Sequence, residues 1–325
     1  MPISLGSALT LCCILAGCAP NQPAPGRDVL KVGHAEIQID LDPSLARHRS
    51  DVLDWVGRAA AAVSGCLGQF PVKHLLIVVQ PGGNQPVGEG TTYGASRIVV
   101  HLESSARTAD LRQDWVLTHE MFHLAFPTLN ARYAWMMEGL SDYLEPVARA
   151  RAGQITAQDV WREMVEGMPQ GLPAAGDRGL DNTRTRERVY WGGDLFWLLA
   201  DVRVRARTGN RRSIDDAIRA ILGAGGNGGA EWTLDQVLTA ADNATGTTVL
   251  KDLHDELGPK PGHVDLEALW QSLGVKYNSG RVTFDDTAPW ANIRAAITRL
   301  RPPSALSLQP FPSSPHLSLA QLPQQ

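Results

Sequence analysis

His119-Glu120-Met121-Phe122-His123 sets two imidazoles four residues apart, with a carboxylate directly after the first. Residues four apart share one face of an α-helix, so both rings can reach one metal ion while Glu120 projects beside it toward a water molecule. Imidazole nitrogens at this spacing suit zinc, and hydrolytic zinc chemistry needs a third protein ligand plus an open fourth position. A carboxylate between the histidines serves as a base for that water, a group for which a purely structural zinc site has no use. The stretch 135–143, WMMEGLSDY, supplies the third ligand in Glu138, and Asp142 follows four residues later on the same face. One carboxylate can bind the metal while the other accepts the spare N–H of a ligand histidine. We expect Glu138 in the first role and Asp142 in the second. Glu145 lies on that face too, either as a further acid of the site or as an ordinary polar helix edge.

These groups act together only if the chain places them on rigid elements. Residues 29–40 alternate Val32, Ala35, Ile37 and Ile39 with polar neighbours and read as a half-buried strand. Pro43 opens a helix that Gly65 and Gly68 end. The run 72–79, VKHLLIVV, reads as a buried strand, a glycine-rich loop follows, and 97–102, RIVVHL, is a further strand. This last strand is either the sheet edge on which an extended substrate pairs or an internal strand. A single helix over 110–126 carries the histidines until Pro127 stops it. Beyond it, helices are predicted at 134–151, 156–166, 186–207, 213–221, 233–241, 247–257 and 266–273. A hairpin over 275–284, turning at Asn278-Ser279-Gly280, and a closing helix over 288–300 complete the pattern. Strands first and helices afterwards argue α+β. The expected organisation is a small N-terminal sheet with helices over 29–127, carrying the metal helix, and a mainly helical part over 128–301.

The 325 residues are 43% hydrophobic and 20% charged, enough to bury a sizeable core as one large domain or two small ones. A formal net charge of −4 gives no electrostatic footprint for nucleic acid, and Arg203, Arg205, Arg207, Arg211 and Arg212 read as a solvated helix face and its exit. Residues 3–17 are apolar or small and end in Leu15-Ala16-Gly17-Cys18, which resembles the bacterial lipobox cleaved before its cysteine. Residues 1–18 then form a lipoprotein signal peptide, Cys18 carries the lipid, and the Pro-rich residues 19–28 form a tether. The alternative is an uncleaved anchor or an ordinary signal peptide, since no Lys or Arg precedes the apolar run. With Ala19 after the cysteine, the expected location is the outer membrane, facing the periplasm. Cys12 and Cys13 leave with the signal peptide, which strands Cys66 as a buried, inert thiol without a disulfide partner. The tail 302–325 is rich in Pro, Ser and Gln and reads as disordered.

HEMFH followed by WMMEGLSDY resembles the gluzincin metallopeptidases, whose third zinc ligand is a glutamate on the helix after the H-E-x-x-H helix. Over about residues 112–258 the chain is similar to the glycyl aminopeptidase family of gluzincins. Tyr190-Trp191-Gly192-Gly193, Thr208-Gly209 and Ser213-Ile214-Asp215-Asp216 follow the family order Y-x-K-G, T-G and S-x-D-D. The resemblance implies a thermolysin-like metal helix, one Zn2+ per chain, a peptide or unfolded-protein substrate, and Tyr190 as the hydrogen-bond donor to the oxyanion. It departs at Gly192, where the family has lysine, and in the spacer 124–137, shorter than usual for the group. No segment like Gly-x-Met-Glu-Asn, which holds a substrate's free amino terminus in aminopeptidase relatives, is present. Cleavage inside peptides is therefore expected at least as readily as at their ends. The competing reading is a zinc-binding envelope lipoprotein that acts as a binding or scaffold module without catalysis.

Overall fold

A computed structural model describes residues 27–301. The lipobox with Cys18, most of the tether and the tail 302–325 lie outside the described residues. The fold is α+β, with the strands gathered at the N-terminal end apart from one late hairpin.

The chain opens with β1 (Asp28–Val32) and β2 (Ala35–Leu41), an antiparallel pair turned at Gly33, whose φ of 59° lies in the left-handed region that glycine tolerates. The strand expected over 29–40 is thus a hairpin, because the glycine breaks the alternation. A 3₁₀ turn over Pro43–His48 leads into α1 (Arg49–Leu67), which ends at Gly68 in the left-handed conformation. Then come β3 (His74–Pro81), β4 (Val87–Tyr93) and β5 (Arg97–Leu102). The sheet order is β1-β2-β3-β5-β4, with β2, β3 and β5 parallel and β4 antiparallel on the edge.

Two sequence expectations are overturned here. The glycine-rich loop is strand β4, and of the two placements left open for β5 the internal one holds, so the sheet edge on this side belongs to β4, with β1 at the other edge. Glycine has low strand propensity, yet Gly90 sits where side chains of α3 approach too closely for a Cβ, and Gly88 lies tightly against Gly83 and His101. Nor is β3 buried on both faces. Leu75, Ile77 and Val79 are buried while Leu76 and Val78 are half-buried, a two-residue period that marks a sheet covered on one side. Ile37, Ile39, Ile98, Val100 and Leu102 share the buried face, against which α1 and α3 lie.

The single helix expected over 110–126 is two, α2 (Thr108–Gln113) and α3 (Val116–His123). Asp114 divides them with an extended backbone, and its carboxylate accepts from the Val116 and Leu117 amides, each at 3.1 Å. Trp55 of α1 donates its indole N–H to the same carboxylate at 2.8 Å, tying the start of the metal helix to the core. A short 3₁₀ turn capped by Asn130 then delivers α4 (Ala134–Arg151).

The remaining helices are α5 (Ala157–Gly167), α6 (Arg186–Val189), α7 (Trp191–Thr208), α8 (Ile214–Gly223), α9 (Leu234–Thr245) and α10 (Val249–Leu257). They are followed by α11 (Leu266–Leu273), the hairpin β6 (Val275–Asn278) and β7 (Arg281–Phe284), and α12 (Ala291–Ile297). The helix expected over 186–207 breaks at Tyr190, which lies between α6 and α7. Its neighbours in sequence bring α7 very close to α4: a Cβ on Gly139 would strike the Gly193 backbone, and one on Gly193 would strike the Trp135 carbonyl. Trp197 spans the same contact, fully buried, with its indole N–H on the Met136 carbonyl at 2.9 Å. Truncating such a side chain to alanine costs about 3–5 kcal/mol. The arginine run is not wholly solvated either. Arg203 and Arg207 make surface ion pairs, but Arg205 is buried against Asp201 at 3.0 Å.

Candidate metal centre

Helix α3 aims His119 and His123 at α4, and their Nε2 atoms stand 3.2 Å apart. Glu138 comes from the first full turn of α4 and sets Oε2 at 3.4 Å from each. On the far side of the rings, His119 Nδ1 lies 3.0 Å from Asp142 Oδ1 and His123 Nδ1 lies 3.4 Å from Ser141 Oγ. The Asp142 contact is short in distance but off the N–H axis, which leaves the Nδ1 donor imperfectly satisfied.

This geometry poses an electrostatic problem that a cation solves. With their Nδ1 atoms turned to Asp142 and Ser141, both neutral imidazoles point Nε2 lone pairs at a carboxylate oxygen, three acceptors without a donor. Burial alone would lower the His119 pKa, but the hydrogen-bonding carboxylates of Asp142 and Glu138 outweigh it and push it up to about 10. Burial would likewise raise Glu138, yet His119 and His123 bring it down to about 2. The pocket therefore favours positive charge at the point where the three atoms converge. A tetrahedral ion bonded at about 2.0–2.1 Å requires ligand atoms roughly 3.3–3.4 Å apart, and the triangle here measures 3.2, 3.4 and 3.4 Å. Two imidazoles and one carboxylate fit zinc in both chemistry and spacing.

Glu120 also places a carboxylate oxygen within 4.8 Å of the histidine donor atoms. It is not the third corner, because Glu138 closes the triangle at 3.4 Å while Glu120 is engaged elsewhere. Thr92 Oγ1 of β4 lies 2.6 Å from Glu120 Oε2 and 2.8 Å from the Glu120 carbonyl oxygen; its single proton serves one acceptor at a time. Glycine at 90 makes this contact possible, since a Cβ there would fall 2.6 Å from Glu120 Cγ and 2.9 Å from Val116 Cγ1. The edge strand thus passes directly alongside the side chain that follows the first histidine.

Tyr190 is half-buried, and its hydroxyl makes no hydrogen bond to a described residue. Burial first, then the negative charges of Glu138, Asp142 and Glu120, push its pKa up to about 12, so the phenol keeps its proton within electrostatic reach of the cluster. A Cβ at Gly192, where the resembling sequences have lysine, would fall 2.9 Å from Leu180 Cδ2 and 3.2 Å from the Arg188 guanidinium, which binds the Gly171 carbonyl and Asp177. Glu145 is not part of the centre. It is buried against Arg149 at 2.7 Å, and burial raises its pKa to about 8. The S-x-D-D segment is structural, with Ser213 and Asp216 capping α8 and Asp215 buried on Arg151 and Arg301.

The sequence reading missed Gly90 and Thr92 of β4, Ser141 behind His123, and Trp115. The last is 52% exposed at the start of α3 and meets His119 edge-on, with 5.7 Å between ring centroids. Trp115 precedes His119 by four residues, the one signal in the sequence that placed it on the metal face.

No family model and no curated protein matches the chain. Among solved structures, an aminopeptidase N family protein from Idiomarina loihiensis is similar with a TM-score of 0.59 and 14% identity, over 77% of this chain and 49% of that one. An M1 zinc metallopeptidase from Deinococcus radiodurans superposes with a TM-score of 0.48 and 16% identity, over 74% of this chain and 53% of that one. The chain spans about half the length of either protein. At this identity the likeness to the Idiomarina protein is one of fold, over the matched part of that protein.

Proposed function

We propose that this chain is a zinc peptidase of the gluzincin kind, with zinc held by His119, His123 and Glu138 and with Glu120 as the catalytic base. The observation that carries the reading is the triangle of donor atoms spaced for a tetrahedral ion with a carboxylate beside it. The fold shared with an aminopeptidase N family protein supports it.

Zinc bound there supplies Lewis acidity that lets water lose a proton near neutral pH. Glu120, positioned by the Thr92 hydroxyl, accepts that proton as the water attacks a peptide carbonyl, and returns it to the departing amine. The protonated Tyr190 hydroxyl, without a hydrogen-bond partner among the described residues, donates a hydrogen bond to the oxyanion. Asp142 and Ser141 hold the imidazoles in the tautomer that offers Nε2. The outer edge of β4 has no strand partner among the described residues, so an extended peptide can add to the sheet there, beside Glu120. Internal peptide bonds are cleaved at least as readily as terminal ones.

The test measures zinc content and digestion of a mixed peptide set, free and N-acetylated, by wild type and Glu120→Gln. The variant should retain wild-type zinc and melting temperature while losing roughly 100- to 10,000-fold in hydrolysis, because an amide cannot accept the proton. Unchanged cleavage by Glu120→Gln excludes this mechanism. A zinc-loaded wild type that cuts nothing leaves the non-catalytic binding role.

We also propose that the protein is lipid-anchored in the cell envelope through Cys18, on the strength of Leu15-Ala16-Gly17-Cys18. Among the described residues no helix is long and apolar enough to cross a membrane. Cys18→Ser should abolish metabolic labelling with a fatty acid and release the protein from membranes; labelling at the wild-type level would exclude the anchor.

A further inference from the structure

The connection between α8 and α9, residues 224–233 (AGGNGGAEWT), looks like slack chain in the sequence. The structure shows it docked on the segment that leaves the metal helix. Gly228 donates its amide to the Leu124 carbonyl at 3.2 Å, Thr128 donates to Ala230 at 2.8 Å, and Trp232 donates to Thr128 at 3.1 Å. Thr128 and Glu231 form a parallel bridge, and Asn227 Oδ1 steadies the turn by accepting from Gly229 at 2.9 Å.

The other side of this connection touches the β4–β5 turn. A Cβ on Gly228 would fall 2.7 Å from the Gly94 carbonyl oxygen and 2.9 Å from the His123 carbonyl oxygen, and one on Gly229 would fall 3.2 Å from Ala95 Cβ. The end of α3, the hairpin turn and the connection therefore meet with no room for a side chain at 228. The hairpin that carries the β4 edge meets the metal helix directly, at Gly90 and Thr92 against Glu120, and again through the connection, at Gly94-Ala95 against Gly228-Gly229.

From this we infer that residues 224–232 form a clasp setting the distance between the β4 edge and the metal helix, and that Gly228 is a positioning residue for an extended peptide substrate. The clasp is a statement about the backbone; its effect on substrate rests on the peptidase reading above.

The experiment compares wild type, Gly228→Ala and Gly223→Ala, the last a control whose new methyl has no atom within 4 Å. For Gly228→Ala we expect amide exchange over 87–93 to quicken, zinc content to stay at the wild-type level, and KM for long peptides to rise on the order of tenfold with kcat within about threefold. Gly223→Ala should match wild type in all of these. If Gly228→Ala does not fold, Asn227→Ala loosens the same turn without adding a methyl at the junction and should show the same pattern in weaker form. Unchanged exchange over 87–93 in a variant whose melting temperature has fallen overturns the clasp. Loss of zinc with KM unchanged also overturns it, by reducing the segment to a support for α3. A zinc-loaded wild type without activity removes the peptidase reading, and the exchange measurement still decides the clasp.

Discussion

The two histidines differ in what stands behind them, and this difference fixes a ranked prediction for metal affinity. Asp142 places a carboxylate oxygen 3.0 Å from His119 Nδ1, whereas Ser141 offers His123 only a neutral hydroxyl at 3.4 Å. A carboxylate behind a ligand imidazole orients the ring and makes Nε2 more basic, and losing such a partner typically costs 10- to 100-fold in affinity, about 1.4–2.7 kcal/mol. Asp142→Ala removes both orientation and charge and should lie near the upper end of that range. Asp142→Asn keeps an oxygen able to accept from Nδ1 but loses the charge, so it should lie near the lower end. Ser141→Ala gives up one long, neutral contact and should cost only about threefold, since a net hydrogen bond contributes about 0.5–1.5 kcal/mol at good geometry and less when stretched. Competition with a chromophoric chelator at fixed pH gives all three constants. The expected order of zinc affinity is wild type, Ser141→Ala, Asp142→Asn, Asp142→Ala. A larger loss in Ser141→Ala than in Asp142→Ala, or wild-type affinity in Asp142→Ala, would refute the argument.

Tyr190→Phe should lower turnover by about 100-fold while leaving zinc content unchanged, as removal of one oxyanion donor does elsewhere. Steady-state kinetics on a single peptide decides this, and a change within about threefold would take the phenol out of the chemistry. Asp215, fully buried on Arg151 and also paired with Arg301, has its pKa lowered to about 2; burial opposes the shift, and the charge and hydrogen bonds of Arg151 outweigh it. Its pairing therefore stabilises the fold above the unfolded pKa near 3.8 and is lost as pH falls through about 2. Asp215→Asn should cost about 3–5 kcal/mol at pH 7, with the gap in melting temperature narrowing between pH 4 and pH 2; a gap that stays constant over this range would contradict the assignment.

What the sequence made legible follows from which signals are local. His119, His123, Glu138 and Asp142 are pairs at helical spacing, and such pairs declare their shared face without tertiary knowledge. The structure brings all four together, with Glu120 and Tyr190 nearby. Strand β4 was illegible for the opposite reason. Its glycine at 90 is placed for a distant partner, the Glu120 side chain, while Gly88 lies against Gly83 and His101, and read locally the two suggest a loop. The split between α2 and α3 was hidden in the same way, because Asp114 ends one helix and caps the next while also holding Trp55, far off in the sequence. The internal position of β5 depends on sheet order, which no hydrophobic pattern within a strand encodes.

The glycines that escaped local reading have a common function in the packing. Gly90 lets an edge strand lie against the acid beside the metal triangle, Gly139 and Gly193 let α4 and α7 touch at the turn that carries Glu138, and Gly228 lets a distant connection touch both the hairpin and the metal helix. In each case the chain omits a side chain so that its backbone can lie directly against a neighbour, side chains of α3 at Gly90 and backbone at Gly139, Gly193 and Gly228. Dispersion then acts across that close contact, where packing is as dense as elsewhere in the core. The zinc site we propose needs donor atoms placed to within a few tenths of an ångström, and the three donors come from two helices positioned by such contacts. The chemical groups were therefore readable from their spacing, while the residues that hold them in place, being glycines with long-range partners, became readable only in three dimensions.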